Sequence, residues 1–96
     1  MVQNFDIGQF VNVLTEETVL KNMVARAKKK RKAMKLSQKA LAEHSGVSYA
    51  SIRRFESTGE ISLVSLLKIA HALQSLKDFE GLFKGLSITN LKDFEG

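Results

Sequence analysis

The stretch Leu36-Ser37-Gln38-Lys39-Ala40-Leu41-Ala42-Glu43-His44-Ser45-Gly46-Val47-Ser48-Tyr49-Ala50-Ser51-Ile52-Arg53-Arg54-Phe55-Glu56 decides the fold. Ser37 and Ser48 each precede a run with helical apolar spacing, where a hydroxyl can accept from a free N–H of the first turn. The first run, residues 38–45, carries Leu41 and Ala42 and is followed by Gly46. Glycine takes the left-handed position after a helix without a Cβ penalty. The second run, residues 49–57, carries Ile52, Phe55 and Glu56 on one stripe. Ala42 is small enough to let the next helix cross closely, and Val47 fills the angle between the two. Ile52 and Phe55 anchor the second helix and leave its opposite face to solvent or to a groove.

Moving outward, Thr15-Glu16-Glu17 marks a helix start, with a hydroxyl cap and two carboxylates at the positive end of the helix dipole. Residues 16–34 follow with Leu20, Val24, Ala27 and Met34 on one stripe, and Arg31 falls on that same stripe. A charge on a core seam is costly unless it is paired. Glu56 is an acid on a core seam as Arg31 is a base on one, so the two are expected to pair. Downstream, Thr58-Gly59-Glu60 forms a turn and Ser62 caps a fourth helix bearing Leu63, Leu66, Leu67, Ile69, Ala70 and Leu73. A short fifth helix is predicted over residues 77–83, carrying Phe79, Leu82 and Phe83.

The expected architecture is all-α: a compact bundle of about five helices over residues 15–83, preceded by an extended arm over 1–14 and followed by a tail over 84–96. In the arm, Val11, Val13 and Leu14 alternate weakly with Phe10 and Asn12, which allows a short strand or an extended arm, and in the tail Leu86-Ser87-Ile88-Thr89 suits a short strand. The hexapeptide Leu76-Lys77-Asp78-Phe79-Glu80-Gly81 recurs as Leu91-Lys92-Asp93-Phe94-Glu95-Gly96. Two copies are too few for a solenoid. The recurrence is either a local duplication or a second amphipathic segment for docking.

Ninety-six residues at 10.7 kDa suffice for one small core. The absence of cysteine excludes disulfides, thiolate metal sites and cysteine nucleophiles. No apolar run approaches the roughly 18 residues that span a bilayer, and the first residues lack the plan of a signal peptide. No membrane partner and a cytoplasmic location are therefore expected. The net charge of +5 is unevenly spread. Residues 21–54 hold eleven Lys/Arg and one acid, Glu43, a net of +10, and the remainder nets −5. A concentrated basic face suits a polyanion, nucleic acid first; the alternative is a solvated basic surface. The run Lys28-Lys29-Lys30-Arg31-Lys32 could be read as a localisation signal, but on a helix it points in nearly all directions, so it reads as a solvated face, some of it near the DNA backbone, with Arg31 turned inward. His44 and His71 stand alone, no serine has a His and an acid arranged for nucleophilic work, and no glycine loop cradles phosphate. Neither an enzyme nor a cofactor is expected.

Two short helices joined by a Gly-Val-Ser turn follow the helix-turn-helix plan, whose second helix enters the DNA major groove. At these residues the chain resembles the lambda-repressor-like, Cro-type (XRE) regulators, over roughly residues 19–76, through the Leu-Ser-Gln, Leu-Ala, Gly-Val-Ser and Phe-Glu elements. The resemblance implies a buried pair between the inward Arg of the first helix and the Glu ending the recognition helix, positions that Arg31 and Glu56 match. The wider layout also resembles HipB-type antitoxins: a Phe-containing arm, Thr-x-x-x-x-Leu, then Ser-Leu-x-Ser-Leu-Leu-Lys-Ile and Ala-Leu-x-Ser-Leu. That likeness implies a homodimer on its own operator and a HipA-type kinase toxin as a further partner.

The family motif places Tyr49, Ala50 and Arg54 at base-facing positions. Arg54 suits guanine O6 and N7 in a bidentate fork, and Ala50 a thymine methyl; Tyr49 suits a phosphate or a base edge. Arg53 is assigned to phosphate or base edge without a choice between them. The alternative for Arg54 is a surface salt bridge. Gln38, in the first turn of its helix, suits a phosphate. Ser37, Lys39, Ser48 and Ser51 are further phosphate candidates, with capping as the concurrent role of Ser37 and Ser48.

Overall fold

A computed structural model of the chain describes residues 14–85. Five helices follow in order: α1 Glu16–Ala33, α2 Gln38–Ser45, α3 Tyr49–Thr58, α4 Leu63–Ala72 and α5 Leu76–Glu80, with no strand among the described residues. The expected strand at 86–89, the second hexapeptide and the arm before Leu14 lie outside the described residues.

Local chemistry accounts for the helix starts. Thr15 Oγ1 accepts from the Thr18 N–H (3.1 Å) and Thr18 Oγ1 accepts from the Thr15 N–H (3.0 Å). This reciprocal capping box satisfies two otherwise free donors, with Thr in the place more often held by Glu. Ser37, Ser48 and Ser62 accept from the N–H groups of Ala40, Ser51 and Ser65 at 3.0–3.1 Å. Gly46 ends α2 at φ +78 and Gly59 ends α3 at φ +84. A Cβ at Gly46 would meet open space, whereas one at Gly59 would come 2.8 Å from Leu20 Cδ2. Backbone conformation alone thus favours glycine at Gly46, whereas a Cβ at Gly59 would also require the Leu20 side chain of α1 to shift.

The α2–α3–α4 unit encloses the core. Leu41, Val47, Ile52, Phe55, Ile69 and Leu73 are buried together, and Val24, Ala27, Met34, Leu36, Ala42, Ile61, Leu66 and Ala72 pack around them. Burying a side chain of this size contributes about 1.5–3 kcal/mol, and Ile52 and Phe55 anchor α3 to the core in this way. Val47 sits in the Gly-Val-Ser turn and closes the angle between α2 and α3. α1 lies against α3 and α5 against α4. No helix among the described residues is long and apolar enough to cross a membrane.

The fifth helix differs from the sequence expectation. It covers Leu76–Glu80 and stops before Gly81, rather than running over 77–83. Ser75 makes no side-chain cap bond to it; its hydroxyl instead donates to the Leu73 carbonyl at 3.1 Å and accepts from Lys30 Nζ at 2.7 Å. Phe79 is half-buried, whereas Phe83 has φ +65 and is fully exposed. A single uncapped turn followed by glycine does not propagate a helix far enough to bring Phe83 onto the Phe79 stripe.

Candidate nucleic-acid interface

Charge in the core orients α3. Arg31, 7% exposed, is the buried charged residue of the described chain. Its Nε donates to Glu56 Oε2 (2.7 Å) and its Nη2 to Glu56 Oε1 (3.0 Å). Its Nη1 donates to the Leu36 carbonyl (2.8 Å), and Gln38 Nε2 donates to Glu56 Oε1 (2.9 Å). A side-on bidentate fork of this kind fixes orientation as well as charge. Burial is the largest single influence on Glu56 and opposes its ionisation. The hydrogen bonds from Arg31 and Gln38, with the charges of Arg31 and Lys28, outweigh it and hold the carboxyl below its ordinary value. No buried side-chain nitrogen or oxygen among the described residues lacks a partner. The network therefore joins α1, the α1–α2 turn, the start of α2 and the end of α3 into one rigid frame.

With Ile52 and Phe55 buried, the opposite face of α3 presents Tyr49, Ala50, Arg53, Arg54 and Ser57 to solvent. Tyr49, Ala50 and Arg54, expected at base-facing positions, and Arg53, left between base edge and phosphate, share this surface. Two cations lie over the Tyr49 ring: Lys39 Nζ and the Arg53 guanidinium are each 5.5 Å from its centroid. Such contacts contribute about 0.5–1 kcal/mol at exposed sites and hold both cations beside the ring. Lys28, Gln38, Ala50, Arg53, Arg54, Glu56 and Ser57 line a shallow groove of about 530 Å³ along α3.

The structure commits several of these groups to partners. Arg54 is paired with Glu60 through Nε (2.9 Å) and Nη2, so the surface salt bridge is formed, on an exposed and accessible side chain. Gln38 is half-buried with its amide nitrogen on Glu56. What it offers outward is its backbone N–H at the first turn of α2. Ser37 and Ser48 are caps, and Ser48 Oγ also donates to Ser51 Oγ at 2.8 Å. Lys39 is exposed beside Tyr49.

Two further residues join the site, and only Glu60 escapes sequence spacing. Lys28 reaches the groove from α1. It lies one turn before Arg31, so the expected Arg31–Glu56 pair already placed it near α3. Glu60 follows the left-handed Gly59, and no helical periodicity connects it to Arg54.

A family model described as helix-turn-helix matches residues 28–79, more than half of the chain. The chain belongs to this helix-turn-helix family of lambda-repressor-like DNA-binding domains. The match runs from Lys28, on the turn of α1 that carries Arg31, to Phe79 on α5. It thus contains the Arg31–Glu56 frame, both helices of the motif and the exposed face of α3. No curated protein matches the chain, and no solved structure does.

Proposed function

We propose that the chain is a sequence-specific repressor that binds a palindromic operator as a homodimer, with α3 of each copy in one major groove. The observation that carries this reading is the division of α3. Ile52, Phe55 and Glu56 are locked into the bundle, while Tyr49, Ala50, Arg53 and Arg54 form one basic, accessible face. In this reading Arg54 reads a guanine, Ala50 contacts a thymine methyl, and Tyr49 and Arg53 touch base edges or phosphate. Lys39, the first-turn N–H groups of α2 near Ser37 and Gln38, and the hydroxyls of Ser48 and Ser51 hold the backbone. Repression by occupancy needs nothing beyond DNA binding and dimerisation, and one bundle of this size can carry both.

A dimer must bury apolar surface, and such surface exists. An apolar groove of about 530 Å³ runs between α1, α4 and α5, lined by Val19, Met23, Leu66, Phe79 and Leu82 among others, with Phe83 fully exposed beside α5. The same groove supports the second reading, a HipB-type antitoxin that holds a kinase-like toxin while controlling its own operon. Selection of binding sites from a randomised duplex pool, followed by footprinting, tests the proposal. Two half-sites one helical turn apart, about 34 Å or a multiple of it, are expected, with sedimentation showing a dimer. A single asymmetric site bound by a monomer would contradict it. Operator binding that becomes tight only with a co-expressed kinase-like neighbour would favour the antitoxin reading.

A further inference from the structure

We infer that Glu60, outside the recognition helix, is a positioning residue for base reading: with Thr58 it holds the Arg54 guanidinium so that its outer edge faces a guanine. The inference rests on the proposed reading of DNA by α3.

The geometry is a closed ring. Thr58 Oγ1 donates to the Arg54 carbonyl (2.8 Å) and accepts from the Glu60 N–H (3.1 Å). Gly59, at φ +84, turns the chain back along α3, and its N–H donates to the Phe55 carbonyl (2.8 Å). The Glu60 carboxylate then returns to Arg54, and a single oxygen, Oε1, accepts from both Nε (2.9 Å) and Nη2. The backbone and side chain of Glu60 are thus both tied to the last turns of α3.

Donor accounting gives the ring its consequence. A guanidinium has five N–H groups. Glu60 takes the Nε–H and one hydrogen of Nη2. Three remain: both on Nη1 and the outer one on Nη2. One from each Nη forms the end-on fork that matches guanine O6 and N7. Arg54 can therefore keep Glu60 and engage a guanine together. An unbuttressed arginine must immobilise its long side chain on binding; one already held by Glu60 loses less. The pair is 68% and 63% exposed, so its role lies in orientation rather than in stability. Glu56, one turn along α3 from Ile52, is committed instead to the buried pair with Arg31 and to Gln38.

The test measures Kd for the pool-selected operator, for the operator with the guanine pair read by Arg54 replaced, and for scrambled DNA. Wild type, Glu60→Ala, Thr58→Val, Arg54→Ala and the double variant Arg54→Ala/Glu60→Ala are compared, with thermal melts to confirm folding. Glu60→Ala is expected to lower discrimination at that base pair about three- to tenfold, a part of what a bidentate contact supplies. It is expected to leave binding to scrambled DNA as tight or tighter, because an acid near phosphate is gone. Thr58→Val should act in the same direction more weakly, and in the Arg54→Ala background Glu60→Ala should change discrimination no further. Equal tightening on all three DNAs would overturn the inference and leave Glu60 as a repelling charge. Increased discrimination would overturn it as well, because Glu60 would then compete with guanine. If Arg54→Ala alone leaves discrimination unchanged, or the pool yields no preferred sequence, the reading of DNA through Arg54 has failed and the role of Glu60 falls with it.

Discussion

Arg31 on α1 and Glu56 in the last turn of α3, 25 residues apart, form a two-bond ion pair with side chains 8% and 5% exposed. It ties the last turn of α3, the helix that carries Arg53 and Arg54 on its exposed face, to α1. Removing one partner of such a pair leaves an uncompensated buried charge. Arg31→Ala should destabilise the fold by about 3–5 kcal/mol, because Glu56 would keep only Gln38 and the Leu36 carbonyl would lose its donor. Urea denaturation measures this directly, and an unchanged midpoint would show that the pair does not hold α3.

The same pair gives stability a dependence on acid. The folded-state carboxyl of Glu56 lies below its ordinary value of 4.5. Its contribution is therefore complete above that value and is lost as pH falls through the lower, folded value. Wild type should exceed Glu56→Gln in stability at pH 7, and this advantage should shrink below pH 4.5 as the carboxyl protonates. Denaturant titrations of both proteins at pH 7 and pH 3 (~neutral and acid limits) compare the two; an advantage of equal size at both would contradict the ionised pair.

The two left-handed glycines separate conformational strain from crowding. Gly46→Ala should cost about 1–2 kcal/mol, the strain of a Cβ in that region, because nothing lies near the added atom. Gly59→Ala should cost more, since Leu20 must also move. Thermal melts of both variants would show the order, and equal losses would mean that Leu20 yields freely.

How far sequence alone reaches can be followed residue by residue. Ser37, Ser48 and Ser62 mark three helix starts because capping is a local contact, and Gly46 marks an end for the same reason. Arg31 and Glu56 are legible as a pair because each breaks an apolar stripe, and a charge there needs a partner. The exposed face of α3 follows by subtraction once Ile52 and Phe55 point inward. What stays hidden depends on distance or on chain reversal. Glu60 reaches Arg54 only because Gly59 turns the backbone. The extent of α5 is lost because its start lacks a side-chain cap and its apolar residues persist past Gly81.

Within the basic face, two substitutions divide reading from holding. Arg54→Ala should cost about 1–3 kcal/mol on the preferred sequence and relax base preference at one position. Lys39→Ala should weaken binding evenly across sequences and reduce the salt slope by about one. Titrations of both variants on matched and mismatched duplexes make the comparison, and equal losses from both on every duplex would defeat the assignment of Arg54 to a base.

The most direct measurement is a fluorescence titration of the protein against the DNA just upstream of its own gene, beside scrambled DNA of equal length, at two salt concentrations. Tight binding to the upstream DNA alone is expected, weakening steeply with salt as displaced counterions return. Equal and weak binding to both DNAs would contradict sequence reading by α3 and leave its basic face as an electrostatic surface only.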